Sequence, residues 1–333
     1  MVEQSETENF QFIVSVVIPA YNCEDTLGRA IQSIADQSVS VKEIIVVDDG
    51  SSDKTVETVR QLSKTFKKLR LIEQANGGPA KARNAGIEIA QGNWVAFLDA
   101  DDAWLPNRVE LQHKILERHP NLAWLSGAYT RVKPDANGQM IELGESSKSM
   151  RMKQGHDGVY DALEEMVNGT SIWTGSMLIR RKELMALGGF ECEIKGSEDI
   201  DLWVRLAMLY PKIGFVTQTI ARYTVDQADS IVGGNARNLD LTKFVFYKRI
   251  ADLVERSDGV TKKRLEKLLG QKIQIYTNSL VRTGELDNAR QFIGMLKRDG
   301  LPLPSLKSQI YTFIPKQIFN RIRSFMLARR KKP

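Results

Sequence analysis

The chain has 333 residues, 47 Lys+Arg against 41 Asp+Glu for a formal net charge of +6, and 42% hydrophobic residues. That length admits one large domain with a smaller appendage, and the apolar fraction is enough for a packed core, which excludes intrinsic disorder as the main state. The charge is unevenly spread: residues 1–236 carry 25 Lys+Arg and 33 Asp+Glu, residues 237–333 carry 22 and 8, so the two stretches suit different partners.

Met1–Phe12 is polar and acidic, with no apolar stretch behind a basic start, and reads as a flexible N-terminus without a secretory signal. No run approaches about 18 consecutive apolar residues, so no membrane-spanning helix is expected. Cys23 and Cys192 supply neither a disulfide framework nor a four-ligand zinc site. The expected location is the cytosol.

From Val14 to Leu98, short β-branched runs alternate with stretches of helical period, the pattern of βαβ units with a parallel sheet. Strands are predicted at Val14–Ile18, Ile44–Val47, Leu69–Ile72 and Trp94–Leu98, with helices near 24–37, 53–66 and 79–91. Leu27, Ile31 and Ile34 mark one buried helical face. Right-handed crossovers bring the carboxyl ends of all four strands to one rim, where an open α/β sheet binds its ligand. Residues 133–158 are polar and weakly periodic and read as an excursion or mobile loop. A further apolar segment at 171–179 precedes a short helix, then Gly188-Gly189-Phe190, and Ser197-Glu198-Asp199 opens another helix reaching about Leu209. Helices are expected near 238–256, 260–282 and 285–298, the last two forming a hairpin about Gly284.

The rim collects the chemistry. Asp99, Asp101 and Asp102 crowd three carboxylates into four residues, an arrangement that repels itself unless a hard divalent ion with oxygen ligands, Mg²⁺ or Mn²⁺, compensates, or unless the turn is simply solvated. Asp48 and Asp49 at the second strand end can accept hydrogen bonds from a base or ribose, or serve the turn itself. Tyr21 can stack on a ring or pack. Gly77-Gly78-Pro79-Ala80-Lys81-Ala82-Arg83 brings pliable backbone and two cations suited to phosphate. It has neither P-loop nor GxGxxG spacing, which leaves P-loop hydrolysis and hydride transfer unsupported. His113, His119 and His156 match no metal or triad spacing.

Taken together, Val16-Val17-Ile18-Pro19-Ala20-Tyr21-Asn22, Val46-Val47-Asp48-Asp49-Gly50-Ser51-Ser52-Asp53, Ala82-Arg83-Asn84-Ala85-Gly86, Phe97-Leu98-Asp99-Ala100-Asp101-Asp102 and Gly189-Phe190 with Glu198-Asp199-Ile200-Asp201-Leu202-Trp203 closely resemble glycosyltransferase family 2 over about residues 13–230. The resemblance implies a GT-A fold: an α/β, Rossmann-like, mostly parallel sheet flanked by helices, followed here by a smaller C-terminal helical region. It implies a catalytic domain over 13–236, with a nucleotide-sugar half at about 13–104 and an acceptor half at about 105–236; the remainder, read from its own periodicity and charge, is a helical region at 237–306 and a basic amphipathic tail at 307–333. The implied chemistry is inverting transfer from a nucleotide-diphosphate sugar, usually UDP-linked, with Mg²⁺ or Mn²⁺.

Carried over residue by residue, Pro19, Tyr21 and Asp49 line the base site, with Asp48 and Arg83 close by. Asp99 and Asp101 correspond to the DxD element that holds metal and diphosphate, and Asp102 adjoins it as a third ligand. Asp199 corresponds to the catalytic base, with Glu198 as the fallback. Relatives carry a histidine after a tyrosine downstream; this chain has Tyr223-Thr224-Val225-Asp226, where Asp226 is a candidate oxygen ligand instead.

After Asp299 no acidic residue occurs, while eight Lys and Arg lie between 307 and 332. From Pro315 onward, Ile318, Ile322, Phe325 and Met326 share a face, the pattern of a basic amphipathic helix on an anionic membrane surface. No nucleic-acid module accompanies the charge, so no nucleic-acid partner is expected. The function expected is an enzyme acting on a glycan or lipid-linked acceptor at the inner face of the cytoplasmic membrane, in cell-surface polysaccharide or glycolipid synthesis. The alternative is a non-catalytic nucleotide-sugar sensor or scaffold. Oligomeric state is not legible.

Overall fold

The computed structural model describes residues 11–135, 138–145, 156–225 and 241–313. They divide into two compact units: one runs through Cys192 and resumes from Glu198 to Val225, the other comprises Glu193–Ser197 and the described residues from Leu241 onward.

The first unit begins with four strands joined by helices. These are β1 (Val14–Ala20), α1 (Leu27–Ala35), β2 (Glu43–Asp48), α2 (Thr55–Thr65), β3 (Leu69–Glu73), α3 (Pro79–Ile89) and β4 (Trp94–Phe97). The strands lie in the order β3-β2-β1-β4, all parallel, with Val16 opposite Ile44, Ile44 opposite Leu69 and Val14 opposite Trp94. Their runs are apolar on both faces because helices cover the sheet; Val16, Val17, Ile45, Val46, Val95 and Phe97 are all fully buried. Helix α1 buries Leu27, Ala30, Ile31 and Ile34, the expected stripe. Helix α3 starts on Pro79 and approaches β1 closely at Gly86, where a Cβ would fall 2.3 Å from Val17 Cγ1, so a larger residue would push the helix off the sheet.

Beyond β4 the sheet is mixed. Strand β9 (Leu178–Arg180) pairs antiparallel with β4 and with β6 (Trp124–Pro134), β10 (Lys212–Thr224) runs parallel to β6, and β5 (Ala103–Trp104) closes the row against β10. Strand β7 (Met140–Glu145) returns along β6, and β8 (Gly158–Asp161) lies antiparallel to β10. The stretch 133–158, expected as a loop, is therefore in part strand. Residues 141–144 of β7 are exposed, so no buried face imposes the period-two alternation by which a strand is recognised. Residues 136–137 and 146–155 lie outside the described residues. The helices of this half are α4 (Arg108–Arg118), α5 (Ala162–Val167), α6 (Arg181–Ala186) and α7 (Glu198–Leu209).

The second unit is helical: α8 (Leu241–Glu255), α9 (Gly259–Thr283), α10 (Leu286–Arg298) and α11 (Leu306–Phe313). Phe246, Ile250, Leu269, Ile273, Phe292 and Leu296 fill its core, with Tyr247, Tyr276 and Phe292 in mutual ring contact at 5.0–6.4 Å. Helices α9 and α10 meet at the expected turn, where the Gly284 and Glu285 amides donate to Val281 and Leu280 carbonyls. Among the described residues no helix is long and apolar enough to cross a membrane.

Candidate active site

The loops after β1 and β2 are bound to each other by side chains acting as backbone mimics. Asn22, in the left-handed region at φ 47°, accepts from Ser52 N at 2.8 Å while its own N–H donates to Ser51 Oγ at 2.9 Å. Cys23 N donates to Thr55 Oγ1, Glu24 N to Asp53, and Lys54 N back to Glu24. These bonds fix the backbone beneath Tyr21, which is 54% exposed, and beside the half-buried Pro19.

The neighbouring aspartates are built differently. Asp49 accepts from Gln74 Nε2 (2.7 Å) and Gly77 N (2.9 Å) at Oδ1, and from Gly78 N (2.7 Å) at Oδ2, so its carboxylate holds the glycine-rich turn shut. Asp48 accepts from Gly50 N and Ser51 N through Oδ2, while its buried Oδ1 has no hydrogen-bond partner. Both oxygens of Asp49 are therefore bonded, whereas one oxygen of Asp48 is enclosed without a partner.

Arg83 sits deeper than its place in the sequence suggests. It does not stand at the rim awaiting phosphate; α3 carries it inward, where Nη2 donates to Asp99 Oδ1 at 2.7 Å and Nη1 to Glu198 Oε1 at 3.3 Å, with Phe190 beneath the guanidinium at 5.3 Å. Burial opposes its charge, but Asp99 and Glu198 outweigh burial and raise its pKa. One buried cation thus draws the end of β4 and the start of α7 together. Next to it, Asn84 accepts from Phe190 N and donates to Phe190 O, both at 2.8 Å. A Cβ on Gly189, which has φ +70°, would lie 2.3 Å from Asn84 Oδ1, so this close approach requires glycine. These contacts explain locally why Ala82-Arg83-Asn84 and Gly189-Phe190 belong to one site.

Of the Glu-Asp pair, Glu198 is buried, with Oε1 accepting from Arg83 and Oε2 without a hydrogen-bond partner. Asp199 is half-buried at the same helix start, with Oδ1 accepting from Ile200 N at 2.7 Å.

The acidic turn separates into unlike members. Asp99 is the Arg83 partner, with 28% of its side chain exposed, and Asp101 is exposed. Asp102 is fully buried: Oδ1 accepts from Thr224 N at 2.6 Å and Oδ2 has no partner. Burial, reinforced by Asp101 and Asp99, pushes its carboxyl well above the usual carboxylate range. Three carboxylates therefore do not converge, because Asp102 turns inward to clamp the turn onto β10. Among the described residues no group of three His, Cys, Asp or Glu side chains is arranged to hold a metal ion. Asp226 lies outside the described residues.

Residues that carry no sequence signal complete the frame. Arg29 donates to Asp101 O and, at 3.2 Å, to Thr224 Oγ1, and Thr224 Oγ1 donates to Asp101 O. Nothing in a sequence ties Arg29 to positions 72 and 195 residues away. Tyr129, Trp173 and Tyr223 form an aromatic wall with centroids 4.9–6.3 Å apart, and burial followed by Asp102, Asp101 and Asp99 pushes the Tyr223 phenol up to about 12. The turn bearing Trp173 is held from behind by the buried Arg108, which donates to Gly175 O and Met177 O.

Residues 15–183 match the family model described as glycosyl transferase family 2. The chain is 37% identical over 118 residues to the Escherichia coli UDP-Glc:alpha-D-GlcNAc-diphosphoundecaprenol beta-1,3-glucosyltransferase WfgD, covering 35% of this chain and 46% of that one. It is 40% identical over 105 residues to the putative teichuronic acid biosynthesis glycosyltransferase TuaG of Bacillus subtilis, covering 31% and 42%. The matched stretch thus spans less than half of either relative. Among solved structures, S. aureus TarS 1–349 in complex with UDP-GlcNAc superposes with a TM-score of 0.67 at 20% identity, covering 85% of this chain and 79% of that one, which shows a shared GT-A fold.

Proposed function

The chain belongs to glycosyltransferase family 2, and on that premise we propose that its first unit transfers a sugar from a nucleotide-diphosphate sugar, UDP-linked, to a hydroxyl of a glycan or lipid-linked acceptor in cell-surface polysaccharide or glycolipid synthesis. The observation that carries this reading is the Arg83 bridge, which gathers Asp99, just past the carboxyl end of the parallel strand β4, with Glu198 and, one residue on, Asp199 at the start of α7. The kinds of donor and acceptor named in WfgD, and the UDP-GlcNAc held by TarS, support the choice of substrates.

Pro19, Tyr21 and Asp49 line the place of the base, with Asp48 beside them at the end of β2. Asp49 keeps the Gly77-Gly78 amides in place beneath it. Asp199 removes the acceptor proton; the acceptor oxygen then bonds to the anomeric carbon as the bond from that carbon to the diphosphate oxygen breaks, the electron pair leaving with the diphosphate and the configuration inverting. Glu198 and Arg83 hold Asp199's helix against the acidic turn.

The exposed Asp101 and partly exposed Asp99 are hard oxygen donors suited to Mg²⁺ or Mn²⁺, and two such side chains suffice where substrate phosphates and water fill the remaining positions. When bound there, the cation stabilises charge on the leaving diphosphate. Asp102, fully buried with Oδ1 on Thr224 N, is left in this reading to hold the turn.

The test is release of nucleoside diphosphate from a panel of UDP-, GDP- and dTDP-sugars with Mn²⁺ and an acceptor extract. Asp199→Asn should lower turnover by about 100-fold or more, while donor-induced thermal stabilisation persists. Normal turnover in Asp199→Asn removes it as base. Donor binding without turnover in the unaltered protein favours a sensor.

A further inference from the structure

Helix α11 of the second unit is packed inside out. Ser308 and Thr312 are its buried residues, and Ser308 Oγ donates to Asn278 Oδ1 at 2.9 Å while accepting from Gln274 Nε2 at 2.7 Å. Gln274 Oε1 in turn accepts from Ser305 N at 2.6 Å, so a polar seam joins α11 to α9. The apolar side chains face the other way: Leu306 is 70% exposed, Ile310 54%, and Leu303, just before the helix, 43%. Leu306 and Ile310 are one turn apart and share a face. A helix in water ordinarily buries its apolar stripe against the protein; this one hydrogen-bonds its polar stripe there and leaves the apolar stripe for something else.

The charge that accompanies that stripe in the sequence indicates what covers it. Lys307 is exposed on the same helix, no acidic residue follows Asp299, and seven more Lys and Arg lie between 314 and 333. A second copy of the chain would bring like charge against like charge, which opposes a symmetric pairing of this face. An apolar stripe followed in sequence by seven cations and no acid is complementary to a bilayer interface, where acyl chains accept the apolar side chains and anionic headgroups accept the lysines and arginines. We propose that α11 docks the protein onto an anionic lipid surface, with Leu303, Leu306 and Ile310 entering the interface. The inference stands on this unit alone and does not depend on the catalytic assignment.

The full chain is to be sedimented with vesicles of phosphatidylcholine, with and without about one third phosphatidylglycerol. Binding is expected only with the anionic lipid, weakening as salt is raised, and the double substitution Leu306→Asp with Ile310→Asp should weaken it at least about tenfold. Both positions are exposed and the unit's core is untouched, so the variant should retain its helical circular dichroism and melting temperature. If it does not, Leu306→Trp supplies the readout: the indole emission at that position should shift to the blue on adding anionic vesicles. Sedimentation equal for the double variant and the unaltered chain, no sedimentation of the unaltered chain, or an unshifted emission from the Leu306→Trp variant overturns the proposal. So does a lipid-independent dimer that the double substitution converts to monomer, since the face would then belong to a second copy.

Discussion

The rim of the first unit contains two acidic regions stabilised by different means. After β1 and β2, Asp48 and Asp49 are satisfied almost entirely by amides: four backbone N–H groups and one side-chain amide point at them. After β4 and at the start of α7, Asp99 and Glu198 are balanced by one buried guanidinium, and Asp102 is held by a single amide. Amide dipoles are fixed by the fold and leave the frame rigid, whereas a carboxylate cluster held by one arginine has its charge balance concentrated in one side chain. The first arrangement suits recognition of a neutral base, the second suits chemistry in which charge moves.

Removing that one side chain should break the contrast most severely. Arg83→Ala leaves Asp99 and Glu198 unpaired in a low-dielectric pocket, and unfolding in urea should report a loss of about 3 kcal/mol together with loss of turnover. Arg83→Lys should recover little of it, because an ammonium cannot span the two carboxylates as the planar fork does. If Arg83→Ala melts like the unaltered protein, the bridge is not what joins β4 to α7.

A smaller effect is expected in the amide-held region. Asp49→Asn keeps the shape but presents an NH₂ where a Gly N–H donates, so one glycine amide loses its acceptor, costing about 1–3 kcal/mol. Hydrogen exchange at Gly77 and Gly78 should accelerate while exchange along β4 does not change; acceleration throughout the sheet would mean the two regions are not independent.

The least disruptive probe uses the two cysteines, one in each region. Burial pushes the Cys23 thiol up to about 11, so its reactive thiolate is scarce at neutral pH and grows only as pH rises toward that value. Cys192 is exposed beside Asn84. Iodoacetamide at pH 8 should label Cys192 first, with Cys23 following only above about pH 10 or on unfolding; equal labelling would show that the loops after β1 and β2 open readily.

Much of the parallel half was legible because a strand covered on both faces must be a continuous apolar run, and four such runs separated by helical period admit few topologies. The three helices from 241 to 298 were read to within a few residues for a similar reason. The antiparallel half was not, since β7 is exposed and β8 and β9 are too short to carry a pattern. The basic tail from Pro315 and Asp226 lie outside the described residues.

For the site, composition and spacing determined which residue types reach the rim: the aspartates, the glycine turn and the Glu-Asp pair all stand at the ends of elements that local sequence specifies. Which of them are tied into the fold, and by which partners, was decided only in three dimensions. Asp48 and Asp49 are adjacent in sequence and chemically identical, yet only one has both oxygens bonded, because the partners of Asp49 come from a turn 25–29 residues away. Asp102 is drawn inside by Thr224, Asp101 is anchored through Arg29, and Arg83 is turned from the rim to the interior by Glu198, 115 residues distant. A carboxylate's role depends on who else donates to it, and those donors are brought near by the packing of the sheet.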